Sequence, residues 1–151
     1  MTLTCSLLVV DCSQTRANRV ADVLQRIEEY EITSLSGSAG LAHRVNNSKP
    51  DMVVIDAGAP TVAEIEQLVL ASHPVHRAVV LFVDRSNDAL TRAALQAGVS
   101  AFVVDGLRSN RLKPILQAAQ QRFDILNQLR IELNETKQEL AIDRAKGLLM
   151  A

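Results

Sequence analysis

Four short apolar runs, each closed by an acid, set the rhythm of the chain. Leu7-Leu8-Val9-Val10 ends at Asp11, and Met52-Val53-Val54-Ile55 ends at Asp56. Ala78 to Val83 ends at Asp84, and Ala101-Phe102-Val103-Val104 ends at Asp105-Gly106. Runs of this length, rich in β-branched residues and bounded by turn signals, predict strands buried on both faces. Ile32 to Leu35 is a weaker run and predicts a strand at the sheet edge. The organising stretch is Asp51 to Asp56, between Pro50 and Ala57-Gly58-Ala59-Pro60. It predicts a central strand that lifts Asp56 to the carboxyl edge of the sheet, where ligands sit in open α/β folds.

Helical periodicity fills the gaps. Ser13 is a candidate N-cap for a helix with Val20, Val23, Leu24 and Ile27 on one side and Arg16, Arg19, Arg26 and Glu28 on the other. Gly37 to Gly40 predicts a small-residue turn, and Leu41 to Asn47 a short helix stopped by Pro50. Val62, Ile65, Leu68, Val69 and Ser72 mark another amphipathic helix, ended by His73-Pro74. Asp84 to Asp88 is polar and carries cap candidates; Ala89 to Ala97 follows as an alanine-rich helix stopped by Gly98. Strand and helix alternate five times, which predicts an α/β fold with a parallel five-stranded sheet of the flavodoxin-like kind.

The fifth unit differs. From about Asn110 no breaker appears until Gly147 apart from Pro114, which is expected in the first turn. The helix can run for roughly 40 residues, on the order of 60 Å. A domain of this size cannot cover it, so its second half is expected to project. Leu112, Ala119, Leu126, Leu133 and Leu140 are spaced by sevens, with Leu116, Phe123 and Leu129 between them. Such a repeat is a coiled-coil seam, interrupted here by Thr136 and Asp143. Leu112 to Phe123 is expected to pack on the sheet. Leu126 to Leu140 is expected to pair with a second copy, because a lone solvated helix is marginal in water. The chain thus divides into a domain over 1–123 and a helical extension over 124–151.

The totals narrow the classes. The 151 residues suffice for one buried domain, and a net charge of −1 gives no bulk electrostatic case for nucleic acid. Aromatics are few (Phe82, Phe102, Phe123 and Tyr30), so the core must be aliphatic and no platform for stacking bases is visible. Cys5 and Cys12 make neither a disulfide framework nor a metal pattern and read as reduced thiols in a cytoplasmic protein. The N-terminal apolar stretch is too short for a signal peptide or a membrane span.

Asp11 after the first strand, Asp56 after the third and Ala97-Gly98-Val99-Ser100-Ala101-Phe102 before the end of the fifth resemble a two-component receiver domain over about residues 5–123. The resemblance makes Asp56 the equivalent of the phosphoacceptor, with Asp11, Asp56 and Asp105 as an acidic pocket. The chemistry needs a carboxylate nucleophile, a divalent cation held by acids, a hydroxyl and a lysine. Receivers usually carry two adjacent acids after strand one, a Ser or Thr after strand four and Lys-Pro after strand five. This chain has Asp11-Cys12, Val83 and Asp105-Gly106. A thiol is a poor ligand for magnesium, and Asp105 reverses the charge where a cation is needed. The pocket is therefore expected to be inert to phosphotransfer. No cofactor is expected, beyond a weakly held magnesium between Asp11 and Asp56. Like charges at Asp11, Asp84 and Asp105 would crowd Asp56. Asp105 itself also suits a turn before Gly106, and Phe102 occupies the position of the receivers' aromatic switch residue, where core packing explains it as well.

The end of the chain, Ile142-Asp143-Arg144-Ala145-Lys146-Gly147-Leu148-Leu149-Met150, resembles the opening of an ANTAR domain, the RNA-binding module of amidase and nitrate-assimilation antiterminators. Gly98 to Phe123, with Val104-Asp105-Gly106 and Leu112-Lys113-Pro114-Ile115-Leu116, is most similar to the nitrate-responsive members. The resemblance implies a transcription antiterminator that binds leader RNA hairpins, is controlled by a nitrate- or nitrite-sensing partner protein, and dimerises through the C-terminal helix. Arg144 and Lys146 would touch RNA phosphate in the intact module. The chain stops where the later helices of that module would follow, so it is read as truncated and expected to bind RNA weakly. The alanines of the helix over 89–97, with the last helix, are the expected partner-docking face. Two rival readings are a working receiver phosphorylated at Asp56 and a small enzyme. Against the enzyme stand the missing Gly-rich phosphate loop, nucleophile–base pair and metal motif; His43, His73 and His76 fall away from the strand ends.

Overall fold

The computed structural model describes residues 5–12, 24–104 and 109–149, with side chains described for 5–12, 24–104 and 111–138. In chain order the elements are β1 (Cys5–Asp11), β2 (Tyr30–Ser36), α1 (Leu41–Ser48), β3 (Met52–Gly58), α2 (Val62–Ala71), β4 (Ala78–Val83), α3 (Asp88–Ala97), β5 (Ala101–Val104) and α4 (Ser109–Leu149). The expected helix from Ser13 falls mostly on 13–23, outside the described residues, and Asp105 is outside them too. Leu24, near that helix's expected end, is fully buried.

The five strands form one parallel sheet in the order β2-β1-β3-β4-β5. This is the flavodoxin-like order, whose direction of winding reverses between β1 and β3. Every residue of β3 is buried, as the unbroken apolar run requires, whereas edge strand β2 alternates between half-buried and exposed positions. Alternation within the strands builds two cores. Leu8, Val10, Val53, Ile55, Val79, Leu81 and Val83 face α1, α2 and α3. Leu7, Val9, Met52, Val54, Val80 and Phe82 face Leu24 and the α4 residues Leu112, Leu116 and Ala119.

Local chemistry sets the helix ends. Thr61 caps α2 with a capping box: its side chain accepts from Glu64 N at 3.2 Å, and Glu64 Oε2 accepts from Thr61 N. Asn87 caps α3 by accepting from Leu90 N at 2.9 Å, and Gly98 closes that helix at φ +107°. Helix α1 ends at Ser48, and its C-cap Lys49, just before Pro50, takes the left-handed conformation at φ +44°. Helix α4 has 41 residues and runs continuously through Pro114. The proline stands in the second turn rather than the first, because the helix already begins at Ser109; its missing N–H leaves the carbonyl of residue 110 without its helical donor.

The burial of α4 changes along its length. Leu112, Leu116 and Ala119 are buried and Phe123 is half-buried. From Asp124 to Gln138 every side chain is exposed except that of Asn127. Lys113 pairs with Glu29 at 3.1 Å, Arg122 donates to Ser100 O at 3.2 Å, and Arg130 reaches Val75 O at 3.5 Å. These contacts fix the line along which the helix leaves the sheet. Among the described residues, no helix is long and apolar enough to cross a membrane.

Candidate functional site at the carboxyl edge of the sheet

Parallel pairing brings the two expected acids together. Asp11 stands opposite Asp56 in the β1–β3 register, and Cys12 N donates to Asp56 O at 2.9 Å, closing the edge just beyond them. Asp56 is only 2% exposed, so its carboxylate belongs to the interior of this edge and not to open solvent. The strand does not end at Asp56 as the sequence suggests. It continues to Gly58 through an irregularity in the β3–β4 register, where Asp56 faces Phe82 and Gly58 faces Val83. Gly58 sits at φ +69° and its carbonyl accepts from Asp84 N at 2.7 Å, an arrangement that a side chain at position 58 would strain.

Val83 lies beneath this edge. It is the last residue of β4, paired with Gly58 and Val104, and it is 2% exposed within the core beneath α1, α2 and α3.

Cys12 follows Asp11 directly at this edge. Burial pushes its thiol up to about 11, and the negative charges of Asp11, Asp56 and Glu64 push the same way. The thiol is therefore protonated near neutral pH and offers no anionic ligand. Among the described residues this edge carries the facing pair Asp11 and Asp56, with Asp84 directly after β4, beside the neutral sulfur of Cys12. Among the described residues no three His, Cys, Asp or Glu side chains are grouped to hold a metal ion.

A raised thiol reacts slowly, since only the thiolate is nucleophilic. At pH 8, alkylation of Cys12 by iodoacetamide, followed by mass spectrometry, should run roughly hundredfold slower than that of an ordinary exposed thiol. The rate should climb about tenfold per pH unit until the pH nears the value at which the thiol ionises. Asp56→Asn removes one opposing charge and should speed the reaction. A wild-type rate equal to that of a free thiol would contradict the geometry.

Beside this edge, between α1 and α2, lies a cleft of about 630 Å³ lined by Cys12, Ser38, Leu41, His43, Glu64 and Leu68, among others. Asp56 is not one of its lining residues. His43 lines this same cleft from α1, which starts directly after the Gly37 to Gly40 turn, both of whose glycines have positive φ. The alanines expected to form a docking face are divided: Ala93 and Ala94 are buried against the core, while Leu95 on the outer side of α3 and Val104 at the end of β5 are exposed. Arg144 and Lys146 lie on the backbone of α4, beyond the described side chains.

No family model matches the sequence, and no curated protein matches it. Solved structures do. The signal receiver domain of a response regulator described as NarL, from Mycobacterium tuberculosis, is 19% identical and superposes with a TM-score of 0.64 over 77% of this chain and 96% of that one. The chain has the receiver fold. A protein described as pilus-assembly related, from Burkholderia pseudomallei, is 23% identical with a TM-score of 0.66 over 81% of this chain and 93% of that one. A fusion carrying the trimeric coiled coil of yeast Spc42 is 17% identical with a TM-score of 0.69, and covers 96% of this receiver-fold chain and 99% of its own. The last match extends into the long C-terminal helix.

Proposed function

We propose that this chain is the receiver-like regulatory part of a transcription antiterminator that controls nitrate and nitrite assimilation, and that it acts by protein contacts rather than by phosphotransfer. One observation supports the second half of that reading: Val83, which the receiver resemblance sets where the family carries a hydroxyl, is buried in the core. The protonated Cys12 and the sequence Asp105-Gly106 point the same way. The first half rests on the ANTAR-like run Ala145-Lys146-Gly147-Leu148-Leu149-Met150 at the end of a helix that leaves the domain. In this reading Asp56 is a residual acid, a nitrate- or nitrite-sensing protein sequesters the molecule, and α4 joins two copies through the face carrying Leu126, Leu129 and Leu133. RNA contact belongs to the ANTAR-like module, with Arg144 and Lys146 on the RNA phosphates.

The test is RNA binding. A chain extended past Ala151 by a helical ANTAR-like segment should shift a leader hairpin in a native gel at least about tenfold more tightly than the 151-residue chain, with affinity falling as salt rises. Asp56→Asn should leave both affinities unchanged. Equal binding by the two chains would sink the RNA assignment. Loss of regulation in Asp56→Asn, together with magnesium-dependent labelling of the wild type, would favour a phosphorylated receiver.

A further inference from the structure

A second cavity, of about 700 Å³, opens at the amino edge of the sheet, across the fold from Asp56. Strand β3 begins there just after Asp51, and β4 just after Arg77. Helix α4 closes one side with Gln120 and Phe123, where its burial ends. The lining is charged and only partly satisfied. Arg77 is a buried cation whose Nε and Nη1 donate to Pro50 O and Ser72 O. Among the described residues its Nη2 has no partner, and no carboxylate pairs with the guanidinium. Lys49 and His76 are exposed and line the same cavity. A buried guanidinium flanked by a lysine and a histidine lacks an anion. The opposite need is present beside it. Gln120 Oε1 is buried and has no hydrogen-bond partner among the described residues. Its Nε2 donates to Asp124 Oδ1 at 3.0 Å, which fixes the amide so that the free atom is the acceptor. Asp51 also lines the cavity, and only its Oδ2 is engaged, by Ser6 N at 2.8 Å. Pro50 and the half-buried Phe123 add an apolar wall.

We propose that this cavity binds a free α-amino acid with an apolar side chain. The carboxylate takes Arg77 Nη2, with Lys49 and His76 as further donors. The ammonium donates to Gln120 Oε1 and faces Asp51, and the side chain lies on Phe123 and Pro50. An apolar wall with a few convergent polar groups is the usual make-up of a small-molecule site. The bound molecule joins the segments that precede β3 and β4 to the base of α4. Its presence is therefore read where the helix leaves the domain, and the chain itself senses a small molecule. This site stands apart from the Asp56 edge and from the RNA reading of the chain's end.

Isothermal titration calorimetry on the intact chain, with leucine, valine and phenylalanine as probes, tests this. The best of the three should bind with a Kd of about 0.1 mM. For leucine, isocaproate lacks the ammonium and isopentylamine lacks the carboxylate. Each should bind at least about tenfold more weakly, because each leaves a buried polar group unpaired. Leucic acid, with a hydroxyl in place of the ammonium, should fall between. Gln120→Leu removes the free acceptor and should weaken leucine about tenfold, with an unchanged circular dichroism spectrum. Cys5 lines this cavity and Cys12 the cleft at the opposite edge. Saturating leucine should therefore slow iodoacetamide labelling of Cys5 at least about fivefold and leave Cys12 unchanged. No binding of any of the three amino acids up to about 10 mM overturns the site. Isocaproate or leucic acid binding as tightly as leucine overturns the amino-acid assignment. Leucine binding that Gln120→Leu leaves unchanged, or that protects both cysteines or neither, overturns the location. None of these outcomes touches the reading of the Asp56 edge.

Discussion

Leu116→Ala is expected to destabilise the fold by about 2–5 kcal/mol, measured by urea unfolding. Leu116 is fully buried against Leu7, Val9, Val54, Val80 and Phe82, and it is the middle one of the three buried residues that seat α4 on the sheet. Truncation removes its transfer free energy and leaves a cavity that the neighbouring strand residues cannot close, since most are β-branched and held in the sheet. Leu126→Ala offers the contrast. Leu126 lies on the same helix ten residues on and is about half exposed. Its loss should change monomer stability by less than about 0.5 kcal/mol. Equal effects of the two substitutions would mean that the helix is not seated as described.

Arg77→Ala should cost about 2–4 kcal/mol in the same assay, although it removes no apolar core residue. Arg77 is 9% exposed, and its Nε donates to Pro50 O at 3.1 Å and its Nη1 to Ser72 O at 3.0 Å. It therefore ties together the chain ends that follow α1 and α2. Ser72 is the C-cap of α2, so the cation also lies at the negative end of that helix. Burial lowers the guanidinium's pKa, a cost that the two carbonyl bonds offset. Alanine leaves both acceptors inside the protein without this donor. Arg77→Lys should recover only part of the loss, because a single ammonium cannot hold the planar two-carbonyl geometry. A neutral effect of Arg77→Ala would show that water replaces the side chain without penalty.

The strands were legible because each is a compact apolar run ended by an acid or a turn, and a parallel sheet buries such runs on both faces. The edge position of β2 was legible from its weaker run, and the exit of α4 from a repeat of seven that outlasts the space available on the sheet. What the sequence could not show depends on registration between distant segments. Nothing local marks Gly58 as part of β3, since its role is set by the slip against Phe82 and Val83. Arg77 reads as an ordinary charge before a strand, and only the approach of Pro50 and Ser72 makes it a buried brace. The sequence also left His73 as a surface residue in a helix-ending turn, whereas it takes φ +52° with its Nε2 buried. At the candidate site, Asp11, Asp56, Cys12 and Val83 could be placed from the βα pattern alone. The effect of Glu64 on Cys12 could not, because the capping box at Thr61 that holds Glu64 depends on where α2 begins.

The central claim is that the Asp56 edge does not read phosphate. It is tested most directly by following the backbone amides by NMR while magnesium and then beryllofluoride are added to this chain. The account predicts no saturable shifts at Asp11, Asp56 or Val83, with any change confined to weak, linear drift at exposed acids. Saturable shifts centred on those three residues would contradict it and return the protein to the phosphorylated receivers.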